Sequence, residues 1–301
     1  MSIRVDSVTK IYGKQRALNG VSFTVDSGEI VGFLGPNGAG KSTMMKIITG
    51  FLHPEEGCVW INGEIIGGNT LDIRHHIGYL PENNPLYSDL YVTEYLEYVA
   101  AIYHLKTIQS RVKEMIGLTG LHSEKHKKIG ALSKGYRQRV GIAQALIHDP
   151  SVLILDEPTS GLDPSQIIEI RQLIRNISAS KTVMLSTHIM QEVEALCNRI
   201  MIINHGKIVA TDTPANIKAL ANSTSQNVLV EFAESINPNT LLEIRGIIEI
   251  QHVSEKSWLL KGGETDLRPL IFRFAVDNSL TILTLNRQES SLENVFLEIT
   301  R

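Results

Sequence analysis

Nine residues, Gly35-Pro36-Asn37-Gly38-Ala39-Gly40-Lys41-Ser42-Thr43, constrain this chain more than any other stretch. They match the pattern G-x-x-x-x-G-K-[ST], follow the apolar run EIVGFLG and lead into the helical segment TMMKIITGF. In that context the glycines let backbone N–H groups wrap a triphosphate. Lys41 reaches the outer phosphates, and Ser42 supplies an oxygen to Mg²⁺. A bare glycine-rich turn needs neither the strand before it nor the helix after it. The motif therefore asks for a strand–loop–helix unit and an α/β fold to hold it.

The rest of the pattern agrees. Alternation in SIRVDSV and VSFTV, with turns at Tyr12-Gly13-Lys14 and Asp26-Ser27-Gly28, predicts β-structure over residues 1–34, and CVWINGE predicts another strand. From about 88 the texture becomes helical: SDLYVTEYLEYVAAIYHL opens on the cap-like Ser88 and repeats apolar residues every three or four positions. VLILDEP and TVMLSTH read as strands, SQIIEIRQLIRNISA and QEVEALCNR as helices, and IMIINHGKIVATDT as a hairpin turning at His205-Gly206. Strands alternating with helices imply a largely parallel sheet. The stretch 83–148 is too long and too helical for one crossover, so it is expected to form a helical subdomain. Near residue 222 the polar run ANSTSQ reads as a linker, dividing the chain into 1–221 and a small C-terminal α+β part, 222–301.

Chemistry concentrates at the strand ends. Val152-Leu153-Ile154-Leu155 runs into two adjacent carboxylates, Asp156 and Glu157. Neighbouring positions on a strand face opposite ways, so the two are expected to divide the work. Asp156 would hold Mg²⁺, and Glu157 would polarise the attacking water near the γ-phosphate. Asp163 in SGLDP either caps the following helix or belongs to the site. His188 ends the strand TVMLSTH beside the nucleotide edge and is a candidate γ-phosphate contact. A second anion-binding helix start stands in LSKGYRQ, where Ser133 and Gly135 precede a helical run carrying Arg137 and Arg139.

Composition excludes several classes. With 29 basic and 32 acidic residues, net charge −3, the chain has no global electrostatic footprint for nucleic acid. MSIRVDSVTK lacks the apolar core of a signal peptide, and no apolar run is long enough to span a bilayer. Any membrane role is therefore expected to pass through a partner. Cys58 and Cys197 lack metal spacing and read as reduced core thiols of a cytosolic protein.

With the phosphate loop, LSKGYRQRVGIAQALIHDP, VLILDE and the STH strand end in this order, residues 3–220 resemble the ATP-binding subunit of an ABC transporter. The resemblance implies a P-loop NTPase fold: a RecA-like parallel core, an antiparallel β subdomain and a helical signature subdomain. It implies ATP and Mg²⁺ as ligands, and two copies packed head to tail. In such a homodimer Ser133 and Gly135 would cap the γ-phosphate held by Lys41 of the other copy. Tyr12 matches the aromatic that stacks on adenine, Asp163 the loop between the two sites, and His188 the switch histidine. Glu82, in IGYLPE, stands where most relatives place a glutamine that gives Mg²⁺ an oxygen and links the nucleotide to the membrane partner. Lys134 and Tyr136 also depart from LSGGQ.

The strings YLPENNPLYSDLYVTEYL and SSLENVFLEIT look like the gliding-motility-associated branch, close to drug- and sodium-efflux types. The implied assembly includes a separate transmembrane permease subunit, no nucleic acid, and a place on the cytoplasmic face of the cell membrane. The segment 83–106 beside Glu82 is the candidate surface for that permease, unless Tyr87, Tyr91, Tyr95 and Tyr98 pack the helical subdomain instead. A regulatory ATP-binding module is the alternative, favoured by Glu82 and opposed by Glu157 and His188.

Overall fold

The computed structural model describes residues 1–67, 73–224, 226–263, 265–288 and 292–300. They fall into two compact units, Met1–Pro214 together with Thr300, and Ala215–Ile299. In the first, β1 (Ile3–Tyr12) and β2 (Gln15–Val25) form a hairpin around Gly13 and Lys14, with Tyr12 opposite Gln15. The next strand, β3 (Ile30–Leu34), leads through the phosphate loop into α1 (Lys41–Ile48). β4 (Glu56–Ile61) and β5 (Glu64–Ile66) complete an antiparallel sheet ordered β2-β1-β4-β5.

The central sheet gathers β3, β6 (Ile77–Leu80), β7 (Val152–Asp156), β8 (Thr182–Thr187), β9 (Arg199–Asn204) and β10 (Lys207–Asp212). Its order is β10-β9-β3-β8-β7-β6, parallel throughout except for the antiparallel β9–β10 hairpin. β3, β7 and β8 are buried along their whole length, as parallel strands covered on both faces must be. Met44, Met45, Ile47 and Ile48 of α1 pack with Val31, Phe33, Ile154 and Met184 in one core.

Because β3, β8 and β7 lie side by side, their carboxyl ends bring the phosphate loop, His188 and Asp156-Glu157 to one edge; β6 adds Glu82 next to β7. Ligands of open α/β sheets bind at such an edge.

Residues between β6 and β7 form α2 (Val92–Ile102), α3 (Ile108–Leu118) and α4 (Lys134–Leu146). Ser88 does not cap α2. Tyr91 is the N-cap and donates its N–H to Glu94 Oε2 at 3.1 Å, while the Ser88 carbonyl accepts from Gly130. The four tyrosines differ in burial. Tyr95 is buried, and its hydroxyl donates to Gln144 Oε1 at 2.6 Å, whereas Tyr87, Tyr91 and Tyr98 stay exposed. After β7 come α5 (Pro164–Ser178) and, after β8, α6 (Met190–Leu196). Cys197 is a buried free thiol packed against Gly32, but Cys58 is only half-buried and is not a core thiol.

The second unit contains α7 (Pro214–Thr224), β11 (Gln226–Phe232), α8 (Pro238–Leu241), β12 (Ile247–Ser254), β13 (Ser257–Gly262), α9 (Arg268–Asp277), β14 (Ile282–Gln288) and α10 (Leu292–Thr300). Its antiparallel sheet, β12-β13-β11-β14, covers a core of Val228, Val230, Phe232, Trp258, Leu260 and Ile271. The polar run expected to be a linker is helical through Thr224, where α7 started at Pro214 continues over it. Ser225 of that run, and Ser290 and Ser291 of the closing motif, lie outside the described residues.

Candidate active site

The phosphate loop is built by close backbone approach. Gly40 has φ 111°, and a Cβ there would stand 2.5 Å from the Ala17 carbonyl; at Gly35 a Cβ would stand 2.4 Å from the Ile203 carbonyl. No other residue fits either position. Met44 N–H closes the first helical bond to the Gly40 carbonyl at 2.9 Å. The N–H groups of Lys41, Ser42 and Thr43 therefore have no intrahelical acceptor and sit at the positive end of the α1 dipole.

Lys41 is buried, 7% exposed, and its ammonium donates to the Gly35 carbonyl at 2.7 Å and the Pro36 carbonyl at 3.3 Å. Burial lowers its pKa; the negative charges of Glu157, Asp156 and Glu82 oppose that shift without cancelling it.

Ser42 Oγ donates to Asp156 Oδ1 at 3.3 Å, and Ser186 Oγ donates to the same oxygen. Glu157 is not the next residue of a regular strand. β7 stops at Asp156, and Glu157 takes the left-handed region at φ 49°. The two carboxylates therefore diverge through a turn rather than through strand alternation. Glu157 N–H donates to both the carbonyl and the Oγ of Ser186, at 3.1 Å each. Its buried carboxylate accepts from His188 Nδ1 at 2.8 Å, while the histidine side chain remains half exposed. A left-handed non-glycine residue costs about 1–3 kcal/mol. The four buried apolar residues of β7, at roughly 1.5–3 kcal/mol apiece, outweigh it.

Lys41, Ser42, Glu157 and His188 line a cleft of about 500 Å³ with Tyr12, Asn37, Gly38, Gly40, Thr43 and Glu82. Gln15 and Ala17 line it as well, although neither was singled out from the sequence. The signal was present in the Gly13-Lys14 turn, which sets Gln15 across from Tyr12. Ser133, Gly135 and Asp163 are not in this cleft. Ser133 caps α4, accepting from Tyr136 N–H at 3.3 Å, and Gly135 is pressed so closely on Gln166 that a Cβ would stand 2.7 Å from its side chain. Asp163 occupies the N-cap position of α5 without a side-chain cap bond. Lys134 folds its ammonium over Gly161, joining the start of α4 to the loop that carries Asp163.

A family model described as ABC transporter matches residues 18–160. The chain is also 32% identical over 307 residues to the linearmycin resistance ATP-binding protein of Bacillus subtilis, with 99% of this chain and 98% of that one covered. The chain belongs to the ABC transporter family. It is the ATP-binding, ATP-hydrolysing subunit of such a transporter.

Among other ABC proteins, the Nod factor export ATP-binding protein I of Burkholderia lata is 33% identical, with 98% of this chain and 95% of that one covered. A solved ABC cassette, a dimeric post-hydrolysis state bound to ADP and Pi, superposes with a TM-score of 0.64 at 28% identity, covering 70% of the present chain and 98% of its own. The cassette fold shared with that structure is the P-loop NTPase architecture described above.

A second concavity of this ABC subunit, about 510 Å³, lies beside Glu82 and is lined by Phe51, Arg74, Tyr79, Asn84, Tyr103 and His148 among others. Asn84 Nδ2 and His148 Nδ1 are buried there without hydrogen-bond partners. Burial lowers the His148 pKa to about 4, so the ring is neutral at physiological pH and stacks on Tyr103 at 3.9 Å. Among the described residues no helix is long and apolar enough to cross a membrane.

Proposed function

We propose that the protein powers export through a separate transmembrane permease, with ATP closing two copies head to tail on the cytoplasmic face of the membrane. One observation carries this reading. The cleft of a single chain collects Lys41, Ser42, Glu157 and His188 but leaves outside it Ser133, exposed at the start of α4, and the buried Gly135. That helix has no acidic residue in its first turn, so its positive end is free to meet an anion. Two clefts are completed only if each copy offers its α4 to the other. The resistance and export names of the relatives support the direction of transport. The gliding-motility branch rests on the two sequence strings alone and remains a proposal.

In the proposed reaction, Lys41 exchanges its loop carbonyls for phosphate oxygens. Tyr12, half exposed at the end of β1, offers its ring face to adenine. Glu157 takes the proton from the attacking water, and His188 holds the carboxylate by its Nδ1–H. Asp163 links the two sites through the loop that Lys134 covers. The residues fit Mg²⁺: a Ser42 hydroxyl against an Asp156 carboxylate, with Glu82 on the same cleft, is a hard oxygen set. Among the described residues no cluster of three or more His, Cys, Asp or Glu stands together as a metal site. Bound there, Mg²⁺ would neutralise charge between the outer phosphates.

Glu82 adds one carboxylate to this set. Glu82→Gln is expected to keep hydrolysis but to raise the half-saturating Mg²⁺ concentration by about tenfold. A titration of phosphate release against Mg²⁺ checks this, and an unchanged curve removes Glu82 from the metal's surroundings. The groove holding the unpaired Asn84 and His148 atoms is the proposed seat for the permease, with exposed Tyr87 and Tyr98 on the segment expected to face it. Pull-down of tagged Glu157→Gln protein from gently solubilised native membranes, with ATP and Mg²⁺, tests the assembly. One multi-span protein at near-equal amount is the expected result. Recovery of ribosomes, DNA or only soluble proteins would overturn the transport reading.

A further inference from the structure

We infer that Glu192 is a positioning residue for hydrolysis, tying the loop after Glu157 to the strand end that carries His188. This rests on the reading that Glu157 and His188 act in the reaction. Glu192 lies on α6 and is 1% exposed, yet no lysine or arginine forms an ion pair with it among the described residues. A carboxylate taken out of water is costly unless it is hydrogen-bonded, so its partners explain its place. Thr159 Oγ1 donates to Glu192 Oε1, and Thr187 Oγ1 donates to Glu192 Oε2 at 2.8 Å. Both threonines are buried. Thr159 is two residues beyond Glu157, and Thr187 immediately precedes His188.

One carboxylate thus clamps two loops whose tips meet in the 2.8 Å contact between Glu157 and His188. The Thr187 hydroxyl is held a second way, accepting from Ile189 N–H at 3.0 Å, so His188 is flanked by fixed backbone on both sides. Burial raises the Glu192 pKa, against the lowering effects of the Thr187 bond and Arg171; Glu157 and His188 also act on it, as their proximity requires. Loosening the clamp should leave nucleotide binding at Lys41 intact while the base and its histidine lose their mutual geometry.

The test is steady-state ATP hydrolysis by the full chain. Glu192→Ala is expected to lower kcat by about tenfold or more with KM for ATP changed less than about twofold, because the bonds lost are to a charged group remote from the phosphates. Thr187→Val, nearly isosteric, should lower kcat by about threefold, and Glu192→Gln, which can still bond both hydroxyls, should recover most of the loss. Adding Glu192→Ala to His188→Ala should cost little further, because the two act as a unit.

If Glu192→Ala does not fold, Thr187→Val and Thr159→Val carry the test. Unchanged kcat in both valine variants, or equal losses in kcat and ATP binding, overturns the inference. Glu157→Gln is the control: wild-type turnover in that variant means the catalytic reading itself has failed. A dead Glu157→Gln beside unaffected threonine variants rejects only the role of Glu192.

Discussion

Glu157→Gln is expected to slow ATP hydrolysis by about 10²–10⁴-fold, the usual contribution of a general base. The same variant should leave a dimer that persists in ATP and Mg²⁺. The change is conservative in shape. Glutamine keeps an oxygen for His188 Nδ1–H, and the backbone bonds from residue 157 to Ser186 do not involve the side chain. What it removes is the ability to accept a proton from water. The carboxylate sits buried within the field of Lys41, at a backbone conformation that the surrounding core enforces. Phosphate release measures the first effect and light scattering the second. Wild-type turnover would dismiss Glu157 as the base. A variant that hydrolyses slowly but stays monomeric with ATP and Mg²⁺ would instead dismiss the shared site formed with Ser133 and Gly135.

The second large effect is expected at Lys41. Lys41→Ala should lower turnover by at least about 10²–10³-fold, the scale for removing one preorganised donor to a developing charge. Alanine favours the first turn of α1, so the helix should persist and the loss should fall on the ligand. In the protein as described, the ammonium is satisfied only by two loop carbonyls and feels three carboxylates. ATP binding by equilibrium dialysis should weaken along with turnover, and thermal unfolding should show a folded protein. Wild-type turnover would sink the phosphate-loop assignment.

Much of this was legible in the chain. The phosphate loop is recognisable because its requirements are local: glycine at close backbone approaches, an apolar strand before it and a helix after it. The buried strands β3 and β7 announce themselves as short apolar runs, and the hairpins by their turn residues. Other features were misread or missed for identifiable reasons. β14, ILTLNRQ, is half polar on an edge of its sheet and shows no clean alternation. The run ANST is polar, but a helix already nucleated at Pro214 carries through it. Ser88 resembled a cap because the sequence shows which residues can cap and not which backbone turn they occupy.

Glu192 gave no signal, since a glutamate on an amphipathic helix ordinarily faces water. Its burial depends on Thr159, which is distant in sequence and reaches it only through the order of β7 and β8. The sequence by itself determined the ligand class, the parallel core and the phosphate loop, because those depend on backbone conformation and side-chain chemistry within a few positions. Only the tertiary structure decided that Glu157 turns left-handed away from Asp156, that Ser133 and Gly135 stand apart from their own cleft, and that Tyr95 packs while its neighbours stay exposed. Burial and hydrogen-bond partnership belong to pairs of segments brought together by the sheet, and no single segment carries that information alone.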